Sequence, residues 1–245
     1  MSCGNIARDN VLDPLNPDST HPRKHLIEAF VNISDHPSQY NQWMLEALVD
    51  LQSQNEEDLI VAVYHRTIDE FDDQDVSPVC DIRYADLLEA LDEDDAIAGV
   101  PDVFINGTSQ RIQGASSAET ALGRLQVAVH DEIPQNHQFY MNVQIGQIDT
   151  NLNATVTLAR LGNQSTNDLR IQAMILSDLN GVYRKQVVRD LKLSDLISHL
   201  DAGELKHIEI TGLTINPNES QHLVIAVIND EGSYVYQAET IQITQ

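Results

Sequence analysis

Gly99-Val100-Pro101-Asp102-Val103-Phe104-Ile105-Asn106-Gly107 is the stretch on which the fold turns. A proline leads a short run of β-prone residues, an Asn-Gly pair closes it as a hairpin turn, and Arg111-Ile112 begins the returning strand. Upstream, Leu59-Ile60-Val61-Ala62-Val63-Tyr64 is an apolar run bounded by acidic residues, which predicts a central parallel strand buried on both faces. His25 to Ile33 predicts another buried strand. Pro37 opens a segment in which Tyr40, Met44, Leu45, Leu48, Val49 and Leu51 fall on one helical face, with Ser34 or Asp35 as its cap. Downstream, Asp81 to about Leu91 predicts a second helix. Ser116 or Ser117 caps a third, whose apolar residues are Ala121, Leu122, Leu125, Val129 and Ile133.

The resulting order, β-α-β-α-β-β-α, is that of a thioredoxin fold. After Pro134 the pattern changes to alternating strands: Phe139 to Ile148, Ala154 to Leu161, Leu169 to Leu176, His207 to Ile215, His222 to Ile228 and Tyr234 to Ile243. Six strands with Asn-, Asp- and Gly-rich turns, interrupted by one helical stretch at Leu193 to Leu200, predict an antiparallel β-sandwich. The fold class is therefore α/β plus all-β. Residues 1–23 read as a tether marked by Asp13-Pro14, Asn16-Pro17 and His21-Pro22, residues 24–134 as the thioredoxin-like domain and residues 135–245 as the sandwich.

Charge narrows the partners. Of 245 residues, 38 are acidic and 14 basic, so a formal net charge of −24 repels phosphate backbones, and nucleic acid is excluded as a partner. No run approaches the ~18 apolar residues of a spanning helix, and no signal-peptide core precedes the fold. Cys3 and Cys80 are the two cysteines and form no disulfide framework. Ser2-Cys3-Gly4-Asn5 followed by a polar, proline-bearing stretch resembles what remains after cleavage at a bacterial lipoprotein signal, which makes Cys3 the candidate lipid-attachment residue and the membrane a partner through that anchor, the alternative being an incidental cysteine.

The strand Leu26-Ile27-Glu28-Ala29-Phe30, the helix opened by Pro37, the Val-Ala-Val-Tyr-His strand and Gly99-Val100-Pro101 together resemble the exported thioredoxin-like lipoproteins of Bacteroidota, the outer-membrane-protein-twenty-eight family. Val187-Val188-Arg189, Leu223 to Ile228 and Val235-Tyr236-Gln237-Ala238 fall where that family has its sandwich strands. The resemblance implies an exported protein, lipid-anchored at the outer membrane or cell surface. It also implies a cis bond between Val100 and Pro101.

One departure governs function. Family members carry a cysteine pair before the helix proline, where the helix dipole stabilises a nucleophilic thiolate. Here the stretch is Asn32-Ile33-Ser34-Asp35-His36-Pro37. His36 takes the second cysteine position, and none of these side chains can exchange disulfides. No catalytic residue is assigned. The expected function is that of a non-catalytic binding or assembly subunit, engaging a protein partner or larger surface assembly, with a degenerate groove at His36, Pro37, Val100 and Pro101. Trp43 could add apolar contact area there. The competing class is an envelope enzyme, either a thiol oxidoreductase using Cys80 or a hydrolase using His36. Cys80 sits at a helix start that favours a thiolate, between Asp75 and Asp81, which oppose one.

Other signals are weaker. Ser34, Asp35 and His36 are the residue types of a hydrolytic triad, but adjacent residues do not converge in triad geometry. Asp69, Glu70, Asp72, Asp73 and Asp75, and separately Asp92 to Asp95, are hard oxygen ligands of the kind calcium takes, without EF-hand spacing, so Ca2+ stands as the alternative to no cofactor. The nine histidines show no zinc spacing. Asn32, Asn106, Asn153, Asn163 and Asn218 begin N-x-Ser/Thr triplets, which an Asn-rich chain produces by chance.

Overall fold

In the computed structural model, the described residues are 10–16, 23–34, 38–68, 73–92, 94–132, 139–181 and 184–243. The elements run β1 (His25–Val31), α1 (Gln39–Gln54), β2 (Leu59–His65), α2 (Pro78–Glu89), β3 (Asp102–Ile105), β4 (Gln110–Gln113), α3 (Ala118–Asp131), β5 (Phe139–Ile148), β6 (Asn151–Arg160), β7 (Thr166–Asp178), β8 (Val187–Leu193), β9 (Ile197–Leu200), β10 (Leu205–Thr214), β11 (Ser220–Asn229) and β12 (Val235–Ile243). The chain is mostly β-sheet, in one mixed sheet of nine strands and one of three.

The large sheet has the order β12-β11-β7-β8-β2-β1-β3-β4, with β9 beside β7. β1 and β2 are parallel with Ile27 opposite Val61, while β3 runs antiparallel to β1 with Val103 opposite Ala29. Among the named strands the two halves of the chain share this sheet at Val63 opposite Val187, a parallel pairing in which the Val63 amide donates to the Gln186 carbonyl at 2.9 Å, and isolated bridges Lys24–Ala238 and Gly107–Tyr234 join them as well.

Three apolar clusters explain the runs in the sequence. Alternate residues of β2 point to opposite sides: Leu59, Val61 and Val63 pack under α1 and α3, while Ile60, Ala62 and Tyr64 pack against α2 and the inner faces of β7, β11 and β12. The apolar run of β11 has the same cause. Val224, Ala226 and Ile228 meet Leu26, Phe30 and Phe104, whereas Leu223, Ile225 and Val227 face the three-stranded sheet β10-β6-β5. The second core is the sandwich, with Phe139, Leu152, Val156 and Leu158 opposite Ile171, Ile175 and Ile225.

Several local expectations are corrected. Leu193 to Leu200 is not helical: Ile197 and Leu200 have the spacing of a helix face, yet β9 pairs with β7 at Leu169 opposite Ile197. The preceding Ser194 holds that path, its amide donating to Ile171 O and its hydroxyl accepting from Ile171 N, both at 2.9 Å. Tertiary pairing overrides local spacing here. The cap of α1 is Ser38 rather than Ser34 or Asp35, and α3 is capped by Ser117, which accepts from Thr120 N at 3.1 Å. Residues 10–16 form turns and lie so close to Gly203 that a Cβ there would come within 2.7 Å of Leu12 O.

Asn106 and Gly107 do take left-handed backbones, φ 51° and 74°, but they begin a longer loop, because Ile105 pairs with Gln110. That loop docks on the β11–β12 turn. A Cβ at Gly107 would lie 2.2 Å from Ser233 O, so glycine is required by both its φ and the close approach.

Candidate functional site

β1 and β2 end side by side at Val31 and His65. In mixed α/β sheets the carboxyl ends of parallel strands are where ligands are held. Here they lead into a buried polar cluster. The carboxylate of Asp73 accepts from Ile33 N at 2.6 Å and meets His65 Nδ1 at 2.9 Å through Oδ2, and accepts from Asp75 N at 3.0 Å through Oδ1. Asp75 is gripped through both oxygens by Arg184, with Arg189 3.8 Å away. Asn32 donates to Arg66 O and its own carbonyl accepts from Asn41 Nδ2, each at 2.9 Å. Asn32 and Ile33, just past β1, are thereby held by hydrogen bonds to Asp73, Arg66 and Asn41.

Burial of Asp73 works against its charge, but the hydrogen bond and charge of His65 and the amides of Ile33 and Asp75 outweigh it, so the carboxyl is held below its ordinary range. His65 is excluded from solvent, and its Nε2 has no partner among the described residues. His65, Asp73 and Asp75 offer ligand atoms within 4.8 Å of one another. The carboxylate oxygens are already committed to His65, to backbone amides and to Arg184, so the donor set fits a satisfied polar cluster better than a cation site.

Cys80 lies in the first turn of α2, fully buried. Burial pushes its thiol up to about 12, far outweighing the backbone hydrogen bonds from Ser77 and His65 that favour the thiolate. No other cysteine is among the described residues.

At the start of β3 the Val100–Pro101 bond is cis. Tyr84 braces it: its hydroxyl donates to Asp102 Oδ2 at 2.7 Å and contacts both the carbonyl and the amide of Gly99 at 3.0 Å. Arg111 clasps Asp102 from the other side, with Nη2 also on Ile97 O at 2.7 Å. The Arg66 guanidinium lies 3.8 Å over the Tyr84 ring and donates to Asp81 at 3.1 Å, linking the end of β2 to the proline turn. Pro101 is buried and accepts from Gly114 N, whereas Val100 is half-buried and makes no backbone hydrogen bond among the described residues.

Of the sequence candidates, Val100 and Pro101 fall at this turn. Cys3, Asp35, His36, Pro37, Asp69, Glu70 and Asp72 lie outside the described residues. Ser34 is buried beside the cluster, and Trp43 packs on the α1 core with its ring 5.9 Å from that of the exposed Tyr40. Sequence reasoning missed His65, Asp73, Arg184 and Arg189 as one group. The available signal was His65 itself, a polar residue closing an otherwise apolar central strand.

No protein-family description matches the chain, and no curated protein matches it by sequence. Solved structures do. Protein AGR_C_4864 from Agrobacterium tumefaciens is similar over 92% of this chain and 98% of its own, at 16% identity and a TM-score of 0.57. HBP35 of Porphyromonas gingivalis is similar over 91% of this chain and 76% of its own, at 11% identity and a TM-score of 0.61. At these identities the likeness is one of fold, and it extends through both halves of the chain.

Proposed function

We propose that the chain is a non-catalytic binding or assembly subunit of the cell envelope, built on a degenerate thioredoxin-like scaffold and lipid-anchored through Cys3. The observation that carries this reading is chemical. Where thiol exchange needs an accessible low-pKa sulfur, the chain has Asn32 and Ile33 tied to Asp73, Arg66 and Asn41, and Cys80 is buried with its thiol raised to about 12. The bound segment is an extended stretch of a partner protein. It pairs with the Val100 backbone, which has no partner among the described residues, beside the turn braced by Tyr84.

A turnover assay tests the non-catalytic part. The expected result is no reduction or isomerisation of a disulfide-bonded protein substrate; activity that vanishes in Cys80→Ser overturns the reading. The anchor has its own test. Expression behind a native leader is expected to give a membrane-associated form whose Cys3 is acylated by mass spectrometry, and a free Cys3 refutes it. No helix among the described residues is long and apolar enough to cross a membrane, which fits attachment through lipid.

A second reading, hydrolysis, is favoured by the His65–Asp73 pair, since an imidazole oriented by a carboxylate, its second nitrogen without a partner among the described residues, has the form of a general base. Burial of His65 counts against it. Hydrolysis of ester substrates that disappears in His65→Gln, with the fold retained, would replace the binding reading.

A further inference from the structure

We propose that β5 is a two-fold interface through which two copies of this chain join their three-stranded sheets into one of six. β5 reads Phe-Tyr-Met-Asn-Val-Gln-Ile-Gly-Gln-Ile, ten residues without a charge or a proline, in a chain of net charge −24. It is an edge strand: the sheet order is β10-β6-β5, and among the described residues β5 pairs only with β6. That pairing is unbroken, from Phe139 opposite Arg160 to Ile148 opposite Asn151, so no bulge twists the edge away.

The other edges are protected by the usual devices, namely shortness, charge and bulges. β4 and β9 have four residues each, and β4 carries Arg111. β12 carries Glu239 and is bridged at Ala238 to Lys24. β10 carries Lys206 and Glu209 and has a bulge between Ile210 and Leu213. Only β5 is long, regular and uncharged, and it exposes Ile145 (38%) and Ile148 (69%).

The sequence of β5 is self-complementary. Phe139, Met141 and Val143 face the sandwich core, and Ile145 falls on the same side, partly exposed beyond it. Antiparallel pairing about a two-fold axis at Gln144 sets Val143 opposite Ile145 of the partner subunit, and Ile145 opposite Val143 of the partner subunit, on that inner face. Asn142 then meets Gly146 of the partner subunit, and Gln144 meets Gln144 of the partner subunit. A second copy is the fitting occupant because two chains of −24 repel over most of their surfaces, and this neutral strand is where their backbones can approach without opposing carboxylates. The contact is isologous and closes on itself. The outer edges of the joined sheet are then the two charged, bulged β10 strands, so growth stops at the dimer. This inference does not depend on the proposed function, with which β5 shares no residue.

Sedimentation velocity of the full chain over a range of concentrations is expected to give a reversible monomer–dimer equilibrium that tightens as salt screens the repulsion. Gln144→Lys, which sets two like charges opposite each other, is expected to weaken association about tenfold or more with unchanged circular dichroism and melting. In a Cys3→Ser background, Gln144→Cys is expected to form a disulfide dimer on mild oxidation, since facing residues of antiparallel strands lie at about 4.5–5.5 Å, within disulfide reach. A monomer at every concentration, assembly beyond the dimer, a dimer that Gln144→Lys leaves intact, or a Gln144→Cys variant that does not cross-link would each overturn the proposal.

Discussion

Glu28 and Arg83 meet as a two-pronged ion pair inside the protein, Nε to Oε1 at 2.8 Å and Nη2 to Oε2 at 2.7 Å, with Glu28 wholly excluded from solvent. Tyr64 donates to the same Oε1 at 2.8 Å, and Arg83 Nη1 reaches the Gly232 carbonyl at 2.8 Å. β1, β2, α2 and the turn before β12 are thus tied at one buried point. Removing one partner strands the other: Arg83→Met is expected to cost about 3–5 kcal/mol in urea unfolding. The double variant Glu28→Leu/Arg83→Met is expected to recover much of that loss. Additive costs would show that the two groups do not act as a pair.

The Asp73 carboxyl is held below its ordinary value of 3.8 in the folded protein, so its contribution to stability is complete above pH 3.8 and fades as pH falls through the lower, folded value. Asp73→Asn is expected to be less stable by about 1–3 kcal/mol at pH 7, because Ile33 N and His65 lose a charged partner. The gap between the two proteins is expected to narrow below pH 3.8 in acid titrations of unfolding. A gap independent of pH would remove Asp73 from the cluster's electrostatics.

With a thiol raised to about 12, Cys80 carries on the order of one thiolate in ten thousand molecules at pH 8. In a Cys3→Ser background the folded protein is expected to resist iodoacetamide at that pH and to label fully in denaturant. Rapid labelling of the folded chain would contradict the burial.

At Gly107 both the positive φ and the 2.2 Å approach to Ser233 O forbid a side chain. Gly107→Ala is expected to cost more than about 1 kcal/mol, by differential scanning calorimetry. Gly123→Ala in α3, where nothing lies within 4 Å, is expected to be neutral or stabilising.

The long apolar runs were legible because they have one physical cause. Leu59 to Tyr64 and Leu223 to Ile228 are uninterrupted because both faces of each strand are covered, and that is a local property of sequence. In the smaller sheet β5 and β6 were read within a few residues for the opposite reason, since their alternation follows one buried face. What sequence does not carry is the long-range choice. Val63 pairs with Val187, so the sheet continues across the two halves, and β9 lies on β7 although its apolar spacing is helical. The site follows the same division. Val100 and Pro101 stand out locally, whereas Asp75 meets Arg184 across more than a hundred residues of chain.

The proposed function joins two separable parts, partner binding at the Val100 turn and the absence of thiol chemistry. The most direct measurement is capture of protein partners from the native envelope by the wild-type chain, Cys80→Ser and Val100→Lys side by side, with folding verified for each. Binding at the Val100 turn predicts that Cys80→Ser captures the same partners as the wild type and that folded Val100→Lys captures none of them. Capture lost in Cys80→Ser but retained in Val100→Lys would contradict it.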